Sequence, residues 1–187
     1  MKQFDTSLYF ITDSGTYEEA EFLARIEAAL CGGVTILQLR EKNKTTREYI
    51  SLAEKVHKLT KEHGVPLIID DRVDVALAVD AEGVHLGAED MTVAQARKIL
   101  GEDKIIGATA KTVPWAQDVY RQGADYLGVG AIYPTTTKVK TVLTSVDTLR
   151  DICIAAPIPP STKPGSAQSS IKPSTLLRCF LFRSKSA

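Results

Sequence analysis

Short apolar runs rich in branched and aromatic residues alternate along the chain with longer segments whose apolar residues recur at helical spacing. Leu8-Tyr-Phe-Ile11 reads as a strand closed by the polar turn Thr12-Asp13-Ser14-Gly15. Ala20, Leu23, Ala24, Ala28 and Leu30 then mark the apolar side of a helix that Gly32-Gly33 stops. Val34 to Arg40 is a second strand, in which Ile36, Gln38, Arg40 and Lys42 share one face if the backbone stays extended, while Leu37 and Leu39 face the other way. A second helix is predicted from about Thr45 to His63, with Thr45 or Thr46 as its cap, Ile50, Ala53, Val56 and Leu59 as its stripe, and Gly64 at its end.

The next stretch, Pro66-Leu-Ile-Ile-Asp70-Asp71-Arg72, runs from branched apolar residues straight into two carboxylates. That is the pattern of a strand buried on both faces whose far end emerges into a polar site. The rhythm continues with a helix over Val73–Val79, a strand over Gly83–Gly87 and a helix from Thr92 to Leu100 capped by Thr92. A strand over Lys104–Thr109, a helix with Pro114 in its first turn and a strand over Tyr126–Ile132 follow. Strands alternating with helices in this way build right-handed βαβ units around a parallel sheet. No Gly-x-Gly-x-x-Gly follows the first strand, which disfavours a dinucleotide-binding sheet.

Polar residues gather just after the strands: Asp13, then Gln38, Arg40 and Lys42, then Asp70 and Asp71, Asp90, Thr109, and finally Thr135, Thr137 and Lys138. In a closed (β/α)8 barrel all of these lie on one rim. Carboxylates, cations and hydroxyls on one rim suit a metal-bridged pyrophosphate, because a hard cation such as Mg²⁺ takes a few carboxylate oxygens and leaves its other positions to water and phosphate. Simpler readings stand beside this one. Asp71 could cap the following helix, Arg40 and Lys42 could be solvated charges, and Thr135 to Lys138 could be a polar loop rather than a phosphate cradle. His85, between Val84 and Leu86, reads as a hydrogen-bonded structural histidine, and Lys111 as an exposed loop residue.

Composition narrows the classes. The 187 residues carry 23 basic and 23 acidic side chains, which makes no electrostatic case for nucleic acid and suits one globular domain. The opening residues show no leader or membrane span, so a cytoplasmic enzyme acting on small molecules is expected. Cys31, Cys153 and Cys179 are odd in number and widely spaced, which favours buried or incidental thiols over a metal cluster or disulfide framework.

Four blocks make a resemblance specific: Gln38-Leu-Arg40-Glu-Lys42, Ile69-Asp70-Asp71-Arg72-Val-Asp-Val-Ala-Leu-Ala, Gly83-Val-His-Leu-Gly-Ala-Glu-Asp90 and Gly130-Ala-Ile-Tyr-Pro-Thr135-Thr-Thr137-Lys138. Together, in order and spacing across roughly residues 8 to 152, they resemble the thiamine-phosphate synthase family. The resemblance implies a (β/α)8 TIM barrel of the α/β class. It also implies Mg²⁺-dependent joining of a pyrimidine pyrophosphate to a thiazole phosphate with release of pyrophosphate. By position it puts Gln38, Leu39, Arg40, Glu41, Lys42 and Asp70 on the substrates, with Thr109 where the family commonly has Ser. Thr135, Thr136 and Thr137 would meet the thiazole phosphate, Asp71 and Asp90 would hold Mg²⁺, and Arg40, Lys42 and Lys138 would act in catalysis. Asp70 stands in place of the family's usual Asn, an added charge that would either tighten the metal or repel the pyrophosphate. A thiazole tautomerase of the same superfamily, or a non-catalytic binding remnant, is the alternative.

The βα rhythm stops near residue 155. Residues 156–187 are rich in Pro and Ser, have no acidic residue, and read as a disordered basic tail behind an incomplete barrel of about six βα units over residues 1–155. The abrupt break near Ile158-Pro159 suggests a shifted reading frame. Six strands cannot close an eight-stranded barrel, so two bare strand edges and an aggregation-prone or inactive chain are expected.

Overall fold

The computed structural model describes residues 4–12, 14, 15, 17–130, 132, 143–156 and 158, with the backbone of 181 and 182. Parallel strands alternate with helices as the pattern requires: β1 Tyr9–Ile11, α1 Glu19–Cys31, β2 Ile36–Leu39, α2 Thr46–Glu62, β3 Leu67–Asp70, α3 Val73–Ala78 and β4 Gly83–Leu86. Then come α4 Val93–Leu100, β5 Ile105–Thr109, α5 Val113–Arg121, β6 Tyr126–Gly128 and α6 Val146–Ala155. The sheet order is β6-β5-β4-β3-β2-β1-β7, where β7 is the two-residue strand Leu181–Phe182 that pairs with Tyr9 and Phe10. This strand covers part of β1 and moves that edge outward by one strand without closing the sheet. Among the described residues the sheet stays open, with β6 at one edge and the two-residue β7, from the tail read as disordered, at the other.

Local chemistry sets the helix ends. Thr45 and Thr92 each accept the backbone N–H three residues on, while Glu48 and Gln95 reach back to them, so both caps are reciprocal. Pro114 occupies the first turn of α5 behind the Thr112 cap. Two helical stripes differ from the sequence reading. In α1 the buried residues are Phe22, Ile26 and Leu30, not the alanines, because the larger side chains gain more from leaving water. In α2 they are Tyr49, Leu52, Ala53, Val56, His57 and Thr60. Its polar members are buried because they find partners: His57 Nδ1 lies 3.0 Å from the Val79 carbonyl and Nε2 3.1 Å from Glu82 Oε1.

Strand alternation divides the apolar residues into two cores. Leu37, Leu39, Leu67, Ile69, Val84, Leu86 and Ile106 face the helices, and Tyr9, Ile36, Ile68, Ile105 and Tyr126 face the concave side. The concavity is real. β1 and β6 are five places apart in the sheet, about 24 Å if it were flat at roughly 4.8 Å per strand. Yet Tyr9 and Tyr126 meet edge to face at 5.7 Å, with their hydroxyls 2.6 Å apart. The sheet therefore curls into an open barrel whose lower interior is plugged by Tyr9, Tyr126 and Phe4. Gly107 makes room for the plug, since a Cβ there would sit 2.0 Å from the Tyr126 ring.

Gly107→Ala is expected to destabilise the chain by about 1–3 kcal/mol through overpacking. Tyr126→Phe, which removes only hydroxyl hydrogen bonds, should cost about 1 kcal/mol. Urea denaturation midpoints check both, and an unchanged midpoint for Gly107→Ala would contradict this packing.

Candidate active site

The polar ends of β2, β3, β4 and β5 converge above the aromatic plug. Arg40 and Lys42 follow β2, and both aim at the acidic end of β3: Arg40 Nε is 3.6 Å and Lys42 Nζ 3.0 Å from Asp70 Oδ2. Lys42 also pairs with Asp71. These cations are therefore not merely solvated. Tyr49, buried in α2, fixes the two strand ends relative to each other by donating its hydroxyl to the Leu39 carbonyl at 2.6 Å and the Asp70 carbonyl at 3.4 Å.

Asp71 does not cap α3. The capping position falls on Arg72, with no side-chain cap bond, and Arg72 turns away to Asp74 and Thr46. Asp71 instead adopts a left-handed backbone, φ 62°, and donates its N–H to the His85 carbonyl at 2.8 Å. That conformation is uncommon outside glycine, and Asp is among the few residues that tolerate it; here it accompanies a carboxylate at the mouth rather than on the helix end. Asp90 returns from the β4 loop and accepts the Gly87 N–H at 2.7 Å. A Cβ at Gly87 would lie 2.8 Å from the Asp90 carboxylate, so glycine is what permits the fold-back.

The electrostatics are those of an acid-rich site short of positive charge. Burial, then the charge of Asp71, raises Asp70 above the usual carboxylate range against the pull of Lys42 and Arg40. Burial and the facing Asp71 likewise raise Asp90, opposed by the Gly87 N–H. Burial works to lower the Lys42 ammonium, but Asp71 and Asp70 outweigh it and hold it above its ordinary value. Three carboxylates thus share two cations.

Below this cluster a hydrogen-bonded chain crosses the interior. Gln38, 2% exposed, donates to the Tyr9 hydroxyl at 3.0 Å; Tyr9 meets Tyr126, Tyr126 lies 3.0 Å from His85 Nδ1, and His85 Nε2 lies 3.0 Å from Thr109 Oγ1. His85 is hydrogen-bonded as expected. Tyr9, Tyr49 and Tyr126 were not singled out in the sequence, although Tyr9 and Tyr126 occupy inward positions of strands, which was the available signal. Leu39, placed on the substrate by the resemblance, has its side chain fully buried against the helices and its carbonyl bonded to Tyr49. Glu41 accepts from Ser14 Oγ at 2.8 Å. Asp13, Thr135, Thr136, Thr137 and Lys138 lie outside the described residues.

Asp70→Asn is expected to raise the melting temperature of the metal-free chain at about pH 7. The folded state binds the Asp70 proton more tightly than the unfolded chain does, so the penalty is absent in acid and grows as pH rises through the elevated value. The gain should vanish below about pH 4, the ordinary carboxylate value. Thermal melts in chelator across pH check this, and a variant less stable than the parent at neutral pH would refute it.

Comparison with known proteins agrees with this architecture. The family model described as thiamine monophosphate synthase matches residues 8–179. The chain is 52% identical over 152 residues to thiamine-phosphate synthase 2 of Streptococcus pneumoniae serotype 4, covering 81% of this chain and 72% of that one. It is 51% identical to thiamine-phosphate synthase of Enterococcus faecalis over the same shares. Among solved structures, thiamine phosphate pyrophosphorylase from Pyrococcus furiosus superposes with a TM-score of 0.69 at 39% identity, over 83% of this chain and 70% of that one. A dihydrodipicolinate synthase from Bacillus anthracis, TM-score 0.57 at 13% identity, shares the barrel-type fold. With six βα units of that barrel and a matched stretch running through its site, the chain belongs to the thiamine monophosphate synthase family.

Proposed function

We propose that the chain is a thiamine-phosphate synthase, a transferase of thiamine biosynthesis that joins a pyrimidine pyrophosphate to a thiazole phosphate and releases pyrophosphate in an Mg²⁺-dependent reaction. The observation that carries this reading is the meeting of Arg40 and Lys42 with Asp70, Asp71 and Asp90 at one strand-end mouth. The synthase name of the relatives favours it over a tautomerase.

The donor set fits a hard cation. Asp71 faces Asp90 closely enough to help hold the Asp90 carboxyl above its ordinary range, and a two-carboxylate site leaves open positions for water and phosphate oxygens. When bound there, Mg²⁺ would neutralise charge on the diphosphate. The remaining work falls to the chain. Arg40 and Lys42 supply N–H donors for phosphate oxygens, and exchanging a carboxylate partner for a phosphate keeps each cation paired. In the reaction, the bond from the pyrimidine methylene to pyrophosphate breaks with its electron pair leaving on oxygen, and the thiazole nitrogen donates its pair to the carbon. Preorganised cations at the leaving group lower the cost of that separation, with no nucleophilic side chain required. Thr109, held by His85, offers a hydroxyl to the substrate, and Thr135, Thr136, Thr137 and Lys138 are assigned to the phosphates by family position.

Pyrophosphate release on mixing both substrates with Mg²⁺ tests the proposal, run beside a version carrying a relative's last two βα units. Arg40→Ala, Asp71→Asn and Asp90→Asn should each lower kcat/KM about 10²- to 10³-fold, the usual effect of removing one group that stabilises developing charge. Mg²⁺-dependent binding of the pyrimidine pyrophosphate without product in either version would select a non-catalytic binder instead.

A further inference from the structure

A second cluster of metal-binding side chains lies far from the mouth. Glu27 and Cys31 are one turn apart near the end of α1, and His63 is the residue that ends α2. Helices run antiparallel to the strands they follow, so both of these ends sit where strands begin, at the opposite end of the sheet from Asp71 and Asp90. A carboxylate oxygen, the Cys31 Sγ and an imidazole nitrogen come within 4.8 Å of one another, and among the described residues this is the only trio of His, Cys and acidic side chains that does so. His63 Nε2 is 2.9 Å from Glu27 Oε1. The other oxygen, Glu27 Oε2, is shielded from solvent and has no hydrogen-bond partner, while Cys31 is exposed and reachable from water.

We propose that Glu27, Cys31 and His63 form a binding site for a borderline divalent transition-metal cation of the Zn²⁺ type, clamping the ends of α1 and α2 together. A thiolate and an imidazole select Zn²⁺ or Co²⁺ and discriminate against Mg²⁺, whereas the all-carboxylate pair at the mouth has the reverse preference. Three protein ligands with one position left to water is a common Zn²⁺ arrangement. The carboxylate oxygen without a partner gains one, and the Glu27–His63 hydrogen bond already holds two ligands in register. The expectation of merely buried or incidental thiols is thereby revised for Cys31. His63 is separated from it by 32 positions in sequence, so no local spacing motif announces the site. Because the unfolded chain does not gather these ligands, bound metal stabilises the folded one.

The test is a Co²⁺ titration of the whole, chelator-stripped chain, followed by the thiolate-to-cobalt charge-transfer absorption, and a thermal melt with and without Zn²⁺. The proposal expects one Co²⁺ per chain, displaced by Zn²⁺. It expects the band to be lost in Cys31→Ser, and apparent affinity to fall at least tenfold in His63→Gln and Glu27→Gln. It also expects a Zn²⁺-dependent rise in melting temperature that Cys31→Ser lacks and Asp71→Asn keeps. Cys31 and His63 are exposed, so their substitution leaves the core intact. Absence of the band overturns the proposal. So does a band that survives Cys31→Ser but disappears in Cys153→Ser or Cys179→Ser, or a Zn²⁺ effect equal in all variants.

Discussion

The contact between Tyr9 and Tyr126 is the constraint on which the site rests. Strands at nearly opposite ends of the sheet order touch through their side chains, so the sheet must curl, and only a curled sheet brings the ends of β2, β3, β4 and β5 over a common mouth. The contact is both apolar and polar. The rings fill the lower interior with Phe4, and their hydroxyls pass hydrogen bonds to Gln38 on one side and His85 on the other. Burial holds both phenols well above their ordinary pKa, so they remain neutral donors and acceptors.

Above that plug the energetics turn electrostatic. A buried Asp70, 7% exposed, costs desolvation that Lys42 and Arg40 offset only in part, and the proximity of Asp71 and Asp90 adds repulsion. Such a cluster is a poor device for stability, since a buried ion pair seldom recovers its desolvation cost. It is well matched to a ligand that brings both a cation and an anion. Strain points the same way: the left-handed backbone of Asp71 and the close approach of Asp90 to Gly87 coincide at this mouth.

The two ends of the sheet thus carry different chemistry. At the strand ends, oxygen ligands and cations meet around a polar opening; at the strand beginnings, helix ends bring a thiol, an imidazole and a carboxylate together. This division follows from the βα repeat, which places every strand-to-helix loop on one side and every helix-to-strand loop on the other.

Much of this was legible in the residue pattern. The alternation of strands and helices, the Thr45 and Thr92 caps, the opposite facing of Gln38 and Leu37, and the polar set after each strand follow from periods of 2 and 3.6 and from capping chemistry, all local properties. The buried stripes of α1 and α2 were displaced because a helix buries the face its neighbours cover, and single-chain periodicity cannot weigh Phe22 and Ile26 against a run of alanines, or foresee that His57 finds Glu82. Likewise no local signal joins β7 to β1, Tyr9 to Tyr126 or His63 to Cys31. Sequence by itself determined which residues carry charge and which face of each strand they occupy, because side-chain direction alternates with the backbone. Which of them meet was decided only by the curl of the sheet and the packing of helices upon it, because contacts between residues far apart in the chain depend on how all the elements close together.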